Sequence, residues 1–290
     1  MPSPSDPEDG GWLAAAAEEQ DAAWVVIDGY RFDAGYMRGA TKPGRPVLAI
    51  DDDARHDAYP VTTVLNQNLH AKTEDYAGKT KARLLLGPRH ALIRSEFGGW
   101  RGWERPIPPR AGKILVTLGG ADPDGHTGLF IEAFRCIQKR SSELNPKVRV
   151  IVGAANPRLD ALRATASEID DIDVLSDVRD MGAQMRWCDM AISASGSTVW
   201  ELALFQTPML LATASRAEEP VARSLRDATA AKHLGRLDDL DVEIIVEAIV
   251  GFARDANLRS QLSKAASRIV DGKGAERVVD AMLSSGRPAG

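Results

Sequence analysis

Short apolar runs, each closed by a polar or glycine-rich stretch, set the rhythm of this chain. The first is Ala22-Ala23-Trp24-Val25-Val26-Ile27, closed by Asp28-Gly29. Pro46 to Ile50 ends in Asp51-Asp52-Asp53, Thr62 to Leu65 leads into Asn66-Gln67-Asn68, and Ala82 to Leu86 stops at Gly87-Pro88. Continuous apolar runs of this length predict buried parallel strands, because half-exposed strands would alternate. The pattern resumes at 113–118, 147–152, 172–175, 190–193 and 208–212, with amphipathic helical spacing between the runs. Strands alternating with helices predict a doubly wound α/β fold, and polar residues after successive strands mark the edge where such sheets place ligands.

Composition divides the chain. Residues 1–23 read as an acidic tail, disordered through Gly11, followed by a short helix from Trp12. Pro106-Ile107-Pro108-Pro109-Arg110-Ala111-Gly112 reads as a stiff linker. One domain is then expected over 24–105, a second over 113–257, and C-terminal helices over 258–290. The first domain reads as incomplete. A full Rossmann-like domain opens with a strand, a glycine-rich turn and a helix, whereas here about one helix precedes the first strand.

Charge and cysteine content narrow the classes. A formal charge of −5 with 27% charged residues argues against a nucleic-acid partner, which needs clustered Lys and Arg. No apolar run is long enough for a membrane span. The first basic residue, Arg31, follows seven acidic ones, so no secretory leader is expected. Cys136 and Cys188 form no metal or redox motif, which with the foregoing predicts a cytoplasmic setting.

Two segments carry candidate chemistry. In Asp189 to Glu201, a buried strand feeds the small-residue turn Ser193-Ala194-Ser195-Gly196-Ser197-Thr198 and then a helix. Free N–H groups at a helix start favour an anion such as phosphate, and Ser197 and Thr198 add hydroxyls. Glu201, one turn on, is suited to a ribose diol. The bland alternative is a capped helix, with Ser197 or Thr198 as N-cap and Glu201 in a capping box. The second segment is Leu118-Gly119-Gly120-Ala121-Asp122-Pro123-Asp124-Gly125-His126-Thr127. Its glycines allow close backbone approach, and its spacing mimics a P-loop with His126 in place of the Lys, which excludes an ATPase reading. Its bland alternative makes Asp122 or Asp124 a helix cap. No GxGxxG is present, the five histidines lack metal-ligand spacing, and Asp51-Asp52-Asp53 reads as solvated loop carboxylates. No cofactor and no metal are expected.

The ordered pieces Ile27-Asp28-Gly29-Tyr30, Ile50-Asp51-Asp52, Leu65-Asn66-Gln67-Asn68, Leu86-Gly87-Pro88, Leu92-Ile93-Arg94-Ser95-Glu96-Phe97, Gly119 to Pro123, Ser193 to Glu201 and Asp271-Gly272-Lys273-Gly274-Ala275-Glu276-Arg277 together resemble the PseG/SpsG family of nucleotide-sugar hydrolases, over roughly Trp24 to Leu283. These are relatives of MurG-type glycosyltransferases. The resemblance implies a GT-B-like fold of two Rossmann-like domains, with UDP held in the cleft between them. It implies a UDP-sugar partner and release of UDP from UDP-2,4-diacetamido-2,4,6-trideoxy-β-L-altrose, a step towards pseudaminic acid. By that resemblance Gly119, Gly120 and Asp122 line one side of the UDP site. Ser195, Gly196, Ser197 and Thr198 hold the diphosphate, and Glu201 holds the ribose. The family's Gly-His loop, with its presumed catalytic histidine, has no counterpart in these residues, so the catalytic group is unassigned and weak hydrolysis is expected. A related glycosyltransferase or a non-catalytic nucleotide-sugar-binding protein are the alternatives. Where the family has Asn-Gln, this chain has Ala217-Glu218-Glu219-Pro220, and a carboxylate there disfavours an anionic ligand unless it points away.

Overall fold

A computed structural model describes residues 7–120, 122–140 and 144–285. The chain forms two compact units. One comprises residues up to Ile93 together with those from Gly272 onward, and the other runs from Arg94 to Asp271.

The first unit begins with helix α1 (Pro7–Glu19), followed by β1 (Val25–Asp28), α2 (Ala34–Ala40), β2 (Val47–Ile50), β3 (Thr63–Asn66) and β4 (Arg83–Leu86). Its four strands are parallel and lie in chain order, β1-β2-β3-β4. Val25, Ile27, Val47, Ala49 and Val64 face one way, onto Ala17 of α1 and Tyr36, Met37 and Ala40 of α2. Asp33 caps α2 by accepting the Tyr36 N–H. Leu48, Leu65 and Leu85 face the other way and are covered by Val278 and Ala281 of the last helix of the chain (Gly274–Ser285).

The second unit alternates β5 (Lys113–Thr117), α3 (Thr127–Arg140), β6 (Lys147–Ile151), α4 (Leu159–Ala166), β7 (Ile172–Leu175), α5 (Met181–Trp187), β8 (Met190–Ala194), α6 (Thr198–Leu204), β9 (Met209–Thr213), α7 (Glu219–Asp227) and β10 (Ala231–Arg236), and closes with α8 (Val242–Arg254) and α9 (Ala256–Ala266). The helix Gly274–Ser285 is α10. The strand order is β10-β9-β8-β5-β6-β7, all parallel. The chain enters the sheet at its centre, builds out to β7, then returns to the other side of β5. Connections therefore diverge between β5 and β8, and that reversal opens a crevice at the strand carboxyl ends. Ile114, Val116, Val148, Val150, Ile192 and Leu210 form the core with Phe130, Phe134, Ile249 and Phe252 of α3 and α8.

Several expectations change. Helix α1 already includes Pro7 to Gly11, where Ala14 and Ala17 later in the same helix are buried. The rest of the expected disordered tail lies outside the described residues. The segment 106–112 is no free linker but part of the second unit. Buried Arg105 donates to the carbonyls of Phe205, Cys188 and Met185 and to the Thr207 hydroxyl. Buried Arg259 donates to the carbonyls of Pro108 and Pro109, and Ala111 N–H donates to Ala253 O. These two guanidinium groups fix the ends of a stretch whose proline content alone suggests a spacer.

The C-terminal helices do not stay together, since α9 belongs to the second unit and α10 to the first. Close packing decides the second placement. A Cβ on Gly274 would come within 2.1 Å of Ala91 O, so only glycine lets α10 start there. Strand β10 was not expected from the sequence. Its Ala-Lys-His-Leu-Gly-Arg composition suits a half-exposed edge, with a register shift between His233 and Gly235.

Candidate functional site

Both candidate segments leave the sheet at the strand reversal. After β5, Gly119 adopts φ +94°, which only glycine takes without strain. Gly120 O accepts the Gly153 N–H at 3.0 Å, and a Cβ on Gly153 would lie 2.2 Å from that oxygen. The loop after β5 is thus seated on the loop after β6 by a contact that excludes any side chain. Asp122, at φ +36°, is buried. Its Oδ1 accepts the His126 N–H (3.0 Å) and its Oδ2 the Thr127 N–H (2.9 Å). Both oxygens cap α3, so Asp122 shapes the loop, and it is not among the residues that line the cavity described below. That corrects its expected place in the lining of the UDP site.

After β8, the fully buried strand hands over to α6, which Val199, Trp200, Leu202 and Ala203 anchor in the core. Ser195 is buried and its hydroxyl donates to Ala212 O (3.2 Å), so it secures the strand end, not a diphosphate. Gly196 and Ser197 are exposed, and Ser197 holds the N-cap position with no side-chain bond to the helix. The Val199 and Trp200 N–H groups donate to Gly196 O and Ser197 O (both 3.1 Å), so the N–H groups that stay available at this helix start are those ahead of Val199. The capped-helix alternative fails on a second count as well. Glu201 does not turn back to the helix start; it takes a cation from another segment.

That cation is Arg94, whose role the sequence pattern alone does not indicate. Arg94 Nε donates to Glu201 Oε1 (3.0 Å) and Nη2 to Oε2 (3.3 Å), a two-point contact. The Glu201 side chain is 15% exposed against 44% for Arg94. Burial raises the Glu201 carboxyl above its ordinary value, and the Arg94 contact opposes that rise without cancelling it. Lone pairs remain on the carboxylate for further donors.

Arg94, Thr117, Gly119, Gly120, Gly153, Thr198 and Glu201 line one cavity of about 290 Å³, with Ile151, Val152, Ala154, Asp177, Val178 and Met181 completing the wall. Four of the eight expected site residues, Gly119, Gly120, Thr198 and Glu201, are brought to this space. Gly196 and Ser197 lie on the exposed turn, while Asp122 and Ser195 are structural. Glu218 and Glu219, whose charge would oppose an anion, are turned to other partners. Glu218 accepts the Ala214 N–H (2.8 Å) and Glu219 pairs with Arg236 (3.3 Å).

No histidine lines this cavity among the described residues. His126 Nε2 lies 3.2 Å from Asp238 Oδ1, and its Nδ1 3.8 Å from Asp122 Oδ1. His56 stacks edge-on against Tyr59 at 5.4 Å and lines a separate cavity of about 110 Å³ within the first unit, with Asp28, Tyr30, Asp51, Asp52 and Arg55. There Asp51 departs from the expected solvated carboxylate. It is buried, and its Oδ2 accepts the Tyr59 and Tyr76 hydroxyls (3.0 and 2.6 Å) and the Ala54 N–H (2.9 Å). Burial, with the carboxylate second, pushes both phenols well above their ordinary range. Burial and the bond to Asp52 (2.8 Å) push Tyr30 up to about 12. No cluster of His, Cys, Asp and Glu suited to a metal ion occurs among the described residues. No described helix is long and apolar enough to cross a membrane.

With this geometry in hand, comparison with known proteins defines the fold class. The chain has the GT-B architecture of MurG-type glycosyltransferases and UDP-sugar epimerases. It superposes on an S. aureus MnaA–UDP co-structure with a TM-score of 0.66 at 14% identity, covering 98% of this chain and 80% of that one. Acinetobacter baumannii MurG gives 0.66 at 14% identity over 98% of this chain and 81% of that one. UDP-GlcNAc 2-epimerase from Neisseria meningitidis, bound to UDP-GlcNAc, gives 0.67 at 12% over 98% and 84%. Among sequences, the chain is similar to the spore coat polysaccharide biosynthesis protein SpsG of Bacillus subtilis (strain 168), 24% identical over 196 residues. That match takes in 68% of this chain but only 57% of SpsG. No family model matches the chain.

Proposed function

We propose that the second unit binds UDP and that the chain works on a UDP-sugar, as a hydrolase that releases UDP from the anomeric carbon. One observation carries this reading. The Arg94–Glu201 pair, the Gly119-Gly120 turn and the start of α6 share one cavity, at the place where the strand order reverses. Glu201 accepts the ribose hydroxyls while Arg94 neutralises it. The diphosphate lies against the N–H groups at Gly196 to Thr198, where donors also stabilise charge on departing UDP. The UDP and UDP-GlcNAc bound to two of the fold relatives, and the similarity to a polysaccharide biosynthesis protein, support this ligand class. By the same resemblance the sugar is of the 2,4-diacetamido-2,4,6-trideoxy type, on a route to pseudaminic acid, and the setting cytoplasmic. A second reading, a nucleotide-sugar-binding protein or transferase without hydrolysis, is favoured by the lack of any histidine in the cavity wall.

Calorimetric titration of the full chain tests the first claim: UDP binds and ADP binds weakly or not at all. Glu201→Gln should weaken UDP by roughly tenfold, the cost of hydrogen bonds to a charged group, and leave pyrophosphate nearly unchanged. Equal heats for UDP, ADP and buffer would rule the site out. A UDP-release assay with UDP-sugars then separates the readings, since losing a general base costs about 10²–10⁴ in rate.

A further inference from the structure

We propose that Arg105 is a positioning residue for the Arg94–Glu201 pair, holding both partners from within the core through Phe205. The inference rests on the UDP reading for what the pair does, and on packing alone for how the pair is held.

Arg105 is a buried guanidinium whose four bonds go to uncharged oxygens. Nε donates to Phe205 O (2.9 Å), Nη1 to Cys188 O, and Nη2 to Met185 O and to Thr207 Oγ1 (2.9 Å). Met185 lies in the last turn of α5 and Cys188 is its C-cap, while Phe205 is the C-cap of α6. One cation thus closes two helices whose other ends carry Met181, Thr198 and Glu201 to the cavity wall. A guanidinium suits this place, because its rigid fork reaches several acceptors at once.

Phe205 carries that anchorage to both members of the pair. Its N–H donates to Glu201 O (3.1 Å), so the bond from Arg105 to the Phe205 carbonyl fixes the residue that closes the Glu201 turn. Its buried ring meets the Phe97 ring edge-on at 5.4 Å, and the Arg94 guanidinium lies 4.6 Å from the centre of the Phe97 ring. The start of α5 rests on the same two rings, since a Cβ on Gly182 would come within 3.3 Å of each. Arg105 therefore reaches Glu201 through the backbone and Arg94 through two aromatic rings. The pair needs both supports, because a two-point contact is lost when either partner turns out of plane.

A purely structural account makes Arg105 a cap for two helices and an anchor for residues 106–112. It predicts a lower thermal midpoint when Arg105 changes, and no change in the protonation of a carboxyl that Arg105 does not touch. The positioning account predicts both.

The test is a carbon-13 NMR titration of the Glu201 carboxyl in the full chain without ligand, with Glu201→Gln to assign the resonance. Arg105→Lys keeps the buried charge but gathers its donors on one nitrogen, which cannot span all four acceptors. Besides burial, Arg94 lowers the Glu201 pKa and Glu96 raises it. Loosening the Arg94 contact should therefore raise that pKa by about half a unit, a roughly threefold change in proton affinity. Phe205→Leu leaves Arg105 and its acceptors in place and removes the ring beside Phe97. It should move the pKa the same way, and it carries the test should the lysine variant not fold. UDP should bind both variants roughly threefold to tenfold more weakly. An unchanged or lowered Glu201 pKa in either folded variant, beside a lower thermal midpoint, would overturn the proposal and leave Arg105 a structural cap. A wild-type chain that binds no UDP would instead sink the nucleotide reading, while the titration, which needs no ligand, still decides how the pair is held.

Discussion

The two sheets of this protein are built from the same kind of strand and differ in where the first strand lies. In the second unit β5 is central, flanked by β8 and β6, and the order reverses around it. In the first unit β1 is at the edge and the strands follow one another without reversal. Burial follows from this. Every residue of β8 is buried, whereas β1 alternates, with Val25 and Ile27 at 4% exposure and Val26 at 50%. The reversal also supplies the crevice. Loops leaving β5 and β8 in opposite senses bring Gly119 and Gly120 to Thr198 and Glu201, and the first sheet has no equivalent divergence. Apolar runs that look alike in the sequence therefore carry different consequences once their order in the sheet is known.

The largest expected effect tests that difference directly. Ile192→Ala, in the middle of β8 at 0% exposure, should cost about 2–5 kcal/mol in urea denaturation, through lost burial and the cavity left behind. Val26→Ala in β1 should stay within about 0.5 kcal/mol. Val26→Lys should leave stability equally unchanged and reduce aggregation on heating, because a charge blunts an open strand edge. A loss at Val26 equal to that at Ile192 would mean that the edge of the first sheet is covered.

Next comes the seat of the glycine turn. Gly153→Ala forces a Cβ against Gly120 O and should cost about 1–3 kcal/mol by overpacking. By displacing Gly120 it should also weaken UDP more than Val26→Ala does. Calorimetry on the two variants side by side checks this. Full UDP affinity in Gly153→Ala would separate the turn from the ligand.

How far the sequence foretold these features depends on the range of the interactions involved. Strand positions were legible from apolar runs, because a buried parallel strand must satisfy burial on both faces within its own few residues. β10 was not, since an edge strand of Ala-Lys-His-Leu-Gly-Arg owes its form to β9 beside it. The glycines and Glu201 were legible as strand-end and helix-start residues. Arg94 was not, because its partner lies 107 positions away. Asp51 looked like a surface carboxylate, since Tyr59 and Tyr76 reach it only after the loops close. The Pro-rich stretch misled for the same reason: Arg105 and Arg259 anchor it through backbone carbonyls, which leave no trace in composition.

The smallest effect concerns Glu201 itself, and its sign follows from burial. The folded-state pKa is raised, so folding favours the protonated carboxyl and the ionised form is a cost at neutral pH. That cost is fully present above the folded-state pKa and disappears as pH falls through the raised value towards that of the unfolded chain. Glu201→Gln removes the charge at every pH. It should therefore add under about 1 kcal/mol of stability at neutral pH and raise the thermal midpoint, because Arg94 is half exposed and keeps its contact with Glu96 (3.2 Å). The gain should shrink on acidification and vanish below the ordinary glutamate range. Thermal melts of both proteins from pH 4 to 8 read this out. A midpoint that falls in the variant at neutral pH would show that the Arg94 contact outweighs burial, and that Glu201 stabilises the second unit before any ligand arrives.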